Sequence, residues 1–141
     1  MNQKIPIQCI NSKQCFERLS KESSSYLVDV RTQPEWLFVG LPDLQSLQKK
    51  TICVSWHIYP NMKINLNFES EILESGINKR DTIFLICRSG HRSCDAAEFL
   101  ASRGFTNCFN VTDGFEGKNN PNYRRSAIDG WKYYKLPWKQ K

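Results

Sequence analysis

Thr82-Ile83-Phe84-Leu85-Ile86-Cys87-Arg88-Ser89-Gly90-His91-Arg92 is a short apolar run that ends abruptly at a cysteine, two arginines and a glycine. The run is β-branched, aromatic or aliphatic and too brief for a typical helix, so it reads as a strand buried in a parallel sheet. Past the turn, Ser93 to Arg103 carries Ala96, Ala97, Leu100 and Ala101 at helical spacing, and Gly104 supplies a stop signal. A strand, a tight loop and a helix in this order turn the loop amides and the positive helix end toward Cys87.

These surroundings suit a thiolate. An ordinary cysteine has a pKa of about 8.5, and helix N-termini with nearby cations bring such thiols down to roughly 3.5–7.5. Arg88 and Arg92 place positive charge on both sides of the turn. Gly90 allows the backbone to take a positive φ and lets a ligand approach the amides closely. A buried structural cysteine before a plain glycine turn is the simpler reading of a cysteine at a strand end. Two arginines, a glycine and a following helix together favour nucleophilic sulfur acting on an anionic substrate.

Outward from this stretch the pattern alternates. Ile5 to Ile10 reads as a first strand, Ser12 as the cap of a helix to about Lys21, and Tyr26 to Val30 as a second strand. Thr32 is expected to cap a brief helix over Pro34 to Phe38. Residues 39–50 form a longer connection, Thr51 to Trp56 a third strand, and Asn67 caps a helix over Phe68 to Glu74. The run at 82–86 is the fourth strand and Asn107 to Val111 the fifth. Alternating strands and helices predict a parallel sheet covered on both faces. Asp29 and Arg31 end the second strand, so such a sheet brings them to the same edge as Cys87, where open α/β sheets bind ligands.

The loop at Cys87 resembles the active-site loop of the rhodanese family, the single-domain sulfurtransferases, whose pattern is Cys-Arg-x-Gly-x-Arg after the fourth strand. Leu27-Val28-Asp29-Val30-Arg31 with Glu35-Trp36 resembles that family's Asp-Val-Arg signature and its following Glu. Asn110-Val111 leading to Asp113-Gly114-Phe115-Glu116-Gly117 resembles the glycine turn after strand five, and Gly130-Trp131-Lys132 to Leu136-Pro137-Trp138 the closing segment. The likeness runs from about residue 5 to residue 138. It implies a rhodanese-like α/β fold, a five-stranded mainly parallel sheet with helices on both faces. One departure is plain: the family's Gly-His-Ile-x-Gly-Ala segment is missing, and the region from Val39 to Asn65 carries Trp56-His57-Ile58-Tyr59-Pro60 instead.

The resemblance implies a catalytic Cys87 that takes sulfur from thiosulfate or a similar anionic donor as a persulfide and hands it to cyanide or a thiol. Arg88, Ser89, Gly90, His91, Arg92 and Ser93 would form the substrate cradle, with no cofactor and no metal. Asp29, Arg31 and Glu35 are expected to support the edge, Arg31 through an ion pair with Glu35. Four residues separate Cys87 from Arg92. Related phosphatases use five, so a cysteine phosphatase or arsenate reductase is disfavoured. The other open reading is a binding or sulfur-relay module that docks on a partner protein or a tRNA.

Composition frames these readings. At 141 residues the chain is expected to be a single rhodanese-like domain over 1–141, with 117–141 a basic, aromatic-rich segment packed on it. No apolar run approaches the ~20 residues of a membrane span, and Met1 to Pro6 lacks a signal-peptide core. A cytoplasmic protein is therefore expected. Cys9, Cys15, Cys53, Cys87, Cys94 and Cys108 show no Cys-x-x-Cys pair, so reduced thiols are expected, with Cys53 and Cys108 in the core and Cys94 against the sheet. Residues 1–117 hold 13 Lys and Arg against 13 Asp and Glu, so the net charge of +6 arises in residues 118–141, where seven basic residues face only Asp129. Basic residues among aromatics can grip RNA. They can equally be a packed terminal helix whose lysine stems lie along apolar surface, the reading favoured here, with nucleic acid not expected as a partner.

Overall fold

The computed structural model describes residues 7–140. In chain order the elements are β1 (Gln8–Ile10), α1 (Ser12–Lys21), β2 (Ser25–Asp29), α2 (Gln33–Phe38), β3 (Leu41–Pro42), β4 (Ile52–Cys53), β5 (His57–Ile58), β6 (Lys63–Ile64), α3 (Phe68–Glu74), β7 (Thr82–Ile86), α4 (His91–Ser102), β8 (Cys108–Val111) and β9 (Trp138–Lys139). A 3-10 turn over Gln45–Leu47 lies between β3 and β4. Five strands form one parallel sheet in the order β1-β8-β7-β2-β4. Ile5 and Pro6, expected in the first strand, lie outside the described residues.

The period of two along the strands divides the core. Leu27, Phe84, Ile86, Phe109 and Val111 pack with Cys15 and Leu19 of α1 and with Phe115 and Trp131. Val28, Val30, Ile83, Leu85 and Cys108 pack with Phe68 and Ile72 of α3 and with Ala96, Ala97 and Leu100 of α4. All five residues of β7 are buried, as a central strand covered on both faces requires. The architecture is α/β, a five-stranded parallel sheet with helices on both faces, as the alternation of elements predicts.

Several boundaries differ from the reading of the sequence. The cap of α1 is Asn11, whose side chain accepts from Gln14 N at 2.8 Å. Ser12 is instead occupied by Asp113, to which its amide and hydroxyl each donate at 2.8 Å. The third strand shrinks to Ile52–Cys53 at the sheet edge. Beyond it the chain bends away while Val54 N still donates to Asp29 O and Trp56 N to Val30 O. At that edge Cys53 is exposed rather than part of the core, and Cys94 on α4 is half-buried. Residues 57–64, lacking a Gly-based turn signal, form the small antiparallel pair β5 and β6.

The C-terminal segment holds no helix among its described residues; it runs as turns to β9, which pairs antiparallel with β3. Gly130, with φ of 107°, and Pro137 bracket a stretch too short for a stable helix. Trp131 is nevertheless fully buried, and its indole N–H donates to Pro137 O at 2.7 Å. The Lys132 ammonium lies 4.0 Å from the centre of the Trp138 ring. No helix among the described residues is long and apolar enough to cross a membrane.

Candidate active site

Cys87 follows the last residue of β7 and is 1% exposed, its sulfur held at the start of α4. The helix begins earlier than the alanine spacing suggests, at His91, with Gly90 at its N-cap and no side-chain cap. A helix start leaves its first N–H groups without intrahelical acceptors. Here the Cys87 sulfur fills that role: it accepts from Gly90 N at 3.2 Å and from Ser93 N at 3.4 Å, and the Ser93 hydroxyl lies 3.2 Å away. Ser93, expected in the substrate cradle, is therefore an inner residue of the site.

Two glycines make this geometry possible. Gly90 has φ of 99°, and a Cβ there would run into Thr112 O. Gly114, with φ of 66°, lies so close beneath the loop that a Cβ would come within 2.5 Å of Arg88 O and 2.7 Å of Cys87 O. The turn after β8 also donates to the loop, from Phe115 N to Cys87 O and from Glu116 N and Gly117 N to Arg88 O. Asn110 of β8 accepts from the Ser93 hydroxyl at 2.5 Å and donates its amide to Gly90 O at 3.1 Å. Sequence reading places Asn110 in a strand without a role at the site. The signal available for it is a polar side chain inside a strand whose four residues are all buried.

The supporting ion pairs are not the expected ones. Arg31 does not pair with Glu35; it forks onto Asp29 two residues before it, with Nε at 2.9 Å from Oδ1 and Nη2 at 2.7 Å from Oδ2, both side chains fully buried. Nη2 also donates to Gly40 O, and the guanidinium lies 4.4 Å from the Phe115 ring centre. Burial would lower the Arg31 pKa, but the charge and hydrogen bonds of Asp29 carry it upward.

Glu35 instead holds Arg92, with Nη1 to Oε1 at 2.7 Å and Nη2 to Oε2 at 2.9 Å, while also accepting from Thr32. Burial would raise the Glu35 carboxyl, yet the hydrogen bonds and charge of Arg92 and the Thr32 donors lower it to about 2. The Arg92 pKa rises, chiefly through its hydrogen bonds with Glu35, with the charges of Glu35, Cys87 and Asp29 adding to the effect against burial. A bidentate pair thus pins α2 to the loop. Arg88 and His91 are exposed, Ser89 is half-buried, and Arg88 makes no salt bridge among the described residues. His57 is half-buried beside Trp56, with ring centres 6.2 Å apart. No group of three or more His, Cys, Asp or Glu suited to a metal ion occurs among the described residues.

The model of the STR4 middle domain matches residues 8–141, from β1 through the C-terminal segment. The chain belongs to the STR4 middle-domain family. Rickettsia prowazekii protein RP600, which is uncharacterized, is 41% identical over 94% of this chain and 97% of its own length. The crystal structure of Rv0390 from M. tuberculosis superposes with a TM-score of 0.87 at 39% identity, covering 97% of this chain and all of that one. Rhodanese-like domain-containing protein 4 of Arabidopsis thaliana is 23% identical over 91% of this chain, which corresponds to 25% of that protein. This chain has the rhodanese-like fold, with the Cys87 loop at the C-terminal edge of the sheet.

Proposed function

We propose that this protein is a sulfurtransferase of the rhodanese type, acting through a persulfide on Cys87. The observation that carries the reading is the sulfur itself: buried at a helix start, it is the acceptor of two backbone N–H groups with a hydroxyl beside it. The two N–H groups, fixed in place before reaction, stabilise charge on sulfur without reorganising. The Cys87 thiolate attacks the outer sulfur of thiosulfate, the sulfur–sulfur bond breaks, and sulfite departs with the bonding pair. A thiophilic acceptor, cyanide or a thiol, then takes the outer sulfur and returns Cys87 to its thiolate. Arg88, exposed at the loop, draws the dianionic donor inward, while Arg92, held by Glu35, shapes the cradle.

The test is the intact mass of the reduced protein before and after thiosulfate, and again after cyanide, with Cys87→Ser alongside. A gain of one sulfur that requires Cys87 and is lost to cyanide is the expected result, with transfer in Cys87→Ser reduced by about 10³-fold or more. A folded, reduced protein that takes up no sulfur overturns the thiosulfate reading and shifts weight to a sulfur-relay or binding role.

A further inference from the structure

Ser93 has one hydroxyl hydrogen and two neighbours able to accept it, Cys87 Sγ at 3.2 Å and Asn110 Oδ1 at 2.5 Å. The orientation of the Asn110 amide is set by its other contact, because its N–H₂ donates to Gly90 O at 3.1 Å. A reversed amide would set oxygen against oxygen at Gly90. Asn110 therefore offers Ser93 only an acceptor, and the hydrogen of Ser93 is committed to it. What Ser93 then presents to Cys87 is a lone pair. That suits a thiol, which can donate S–H, and it costs little at a sulfur bonded to a second sulfur, where the charge sits on the outer atom. It opposes a thiolate, which must draw the hydrogen away from Asn110 and leave a buried amide oxygen without a donor. Asn110 and Ser93 are 5% and 0% exposed, so water does not readily replace that donor.

We propose that Asn110 is a positioning residue that acts through Ser93 to disfavour the thiolate of Cys87 and to retain sulfur on the enzyme. In discharge, the acceptor's lone pair attacks the outer sulfur, the S–S bond breaks, and its electron pair becomes the charge on Sγ. The Ser93 hydroxyl has to turn from Asn110 to Sγ as that charge develops. Asn110 thus stabilises the loaded form relative to the discharged thiolate. The charged and titratable groups on the elements packed about Cys87 are Arg88 and His91 in the loop, Arg92 on α4 with Glu35 of α2 behind it, the buried Asp29 and Arg31 at the end of β2, and Asp113 and Glu116 in the turn after β8; the Asn110→Ala substitution changes none of them.

The test is the pH profile of Cys87 alkylation when the whole chain is treated with iodoacetamide, for Asn110→Ala, Ser93→Ala and the double variant, each checked for folding by circular dichroism. Alkylation is read by mass on the peptide that carries Cys87, because Cys9 and Cys53 are exposed and react as well. With Ser93 present, Asn110→Ala is expected to move the profile about one unit to lower pH, a roughly tenfold faster alkylation on its acid limb. In the Ser93→Ala background the same substitution is expected to move nothing, a coupling that a merely structural role would not produce. An equal shift in both backgrounds, no shift, or a shift to higher pH overturns the proposal. If Asn110→Ala does not fold, the near-isosteric and uncharged Asn110→Leu carries the test: it also removes the acceptor of Ser93 and is expected to move the profile to lower pH only while Ser93 is present. The discharge half rests on the sulfurtransferase reading and is read as faster loss of sulfur to cyanide in Asn110→Ala. Alkylation needs no sulfur transfer, so the two ideas fail separately.

Discussion

The loops that leave β2 and β7 start from neighbouring strands at one edge of the sheet, yet they treat charge in opposite ways. The β2 loop consumes its charge internally: Arg31 closes on Asp29, and both are fully buried. The β7 loop keeps its field for something else, with Gly90 N and Ser93 N aimed at a sulfur and Arg88 left exposed. One is a frame and the other is a cradle. Their junction is the Arg92–Glu35 pair, where a helix from the first loop grips the second.

Breaking the frame should have the largest effect on stability. Asp29→Asn leaves the buried Arg31 without its counter-charge and is expected to cost about 3–5 kcal/mol, read as a lower urea midpoint. A loss below about 1 kcal/mol would mean that the two loops are not so different after all.

The junction comes next. Glu35→Gln is expected to cost about 2 kcal/mol near neutrality, together with a loss of activity as the loop loosens. Because the Glu35 carboxyl is lowered from 4.5 to about 2, the folded chain binds fewer protons than the unfolded chain between those values. Its stabilisation is complete above the ordinary value and is lost as the pH falls through about 2. The stability gap between wild type and Glu35→Gln should therefore be flat near neutrality and close on acidification across that window. A gap that stayed constant down to pH 2 would show that the effect is not ionic.

The cradle's rim should give the smallest change. Arg88→Gln is expected to leave stability within about 0.5 kcal/mol. The rate of sulfur loading from thiosulfate should fall about threefold to tenfold at low salt, with the difference shrinking at high salt as screening removes the attraction. A salt-independent deficit would point to a direct contact in place of long-range attraction.

Much of the cradle is legible in the sequence because it is local. The apolar run at 82–86, the cysteine, the glycine and the helical spacing of Ala96, Ala97 and Leu100 lie within one stretch of chain. The third strand is overextended in the sequence reading for an equally physical reason. Residues 51–56 have the composition of a strand, but at the sheet edge only Ile52 and Cys53 find ladder partners there, so Cys53 faces outward. The aromatic, basic C-terminal segment packs through Trp131 and β9 without a helix, since side-chain burial against the rest of the chain can order turns that local propensity would not.

Sequence by itself determined the alternation of elements, the buried central strand and the cysteine at the mouth of a helix, because hydrophobic period and turn chemistry act over a few residues. Only the tertiary structure decided which charges meet. Glu35 and Arg92 lie 57 residues apart, and Ser93 and Asn110 lie 17 apart. Arg31 had Glu35 four residues away and took Asp29. A carboxylate's partner depends on which loops share an edge and how far each side chain can reach, and neither is written in spacing along the chain.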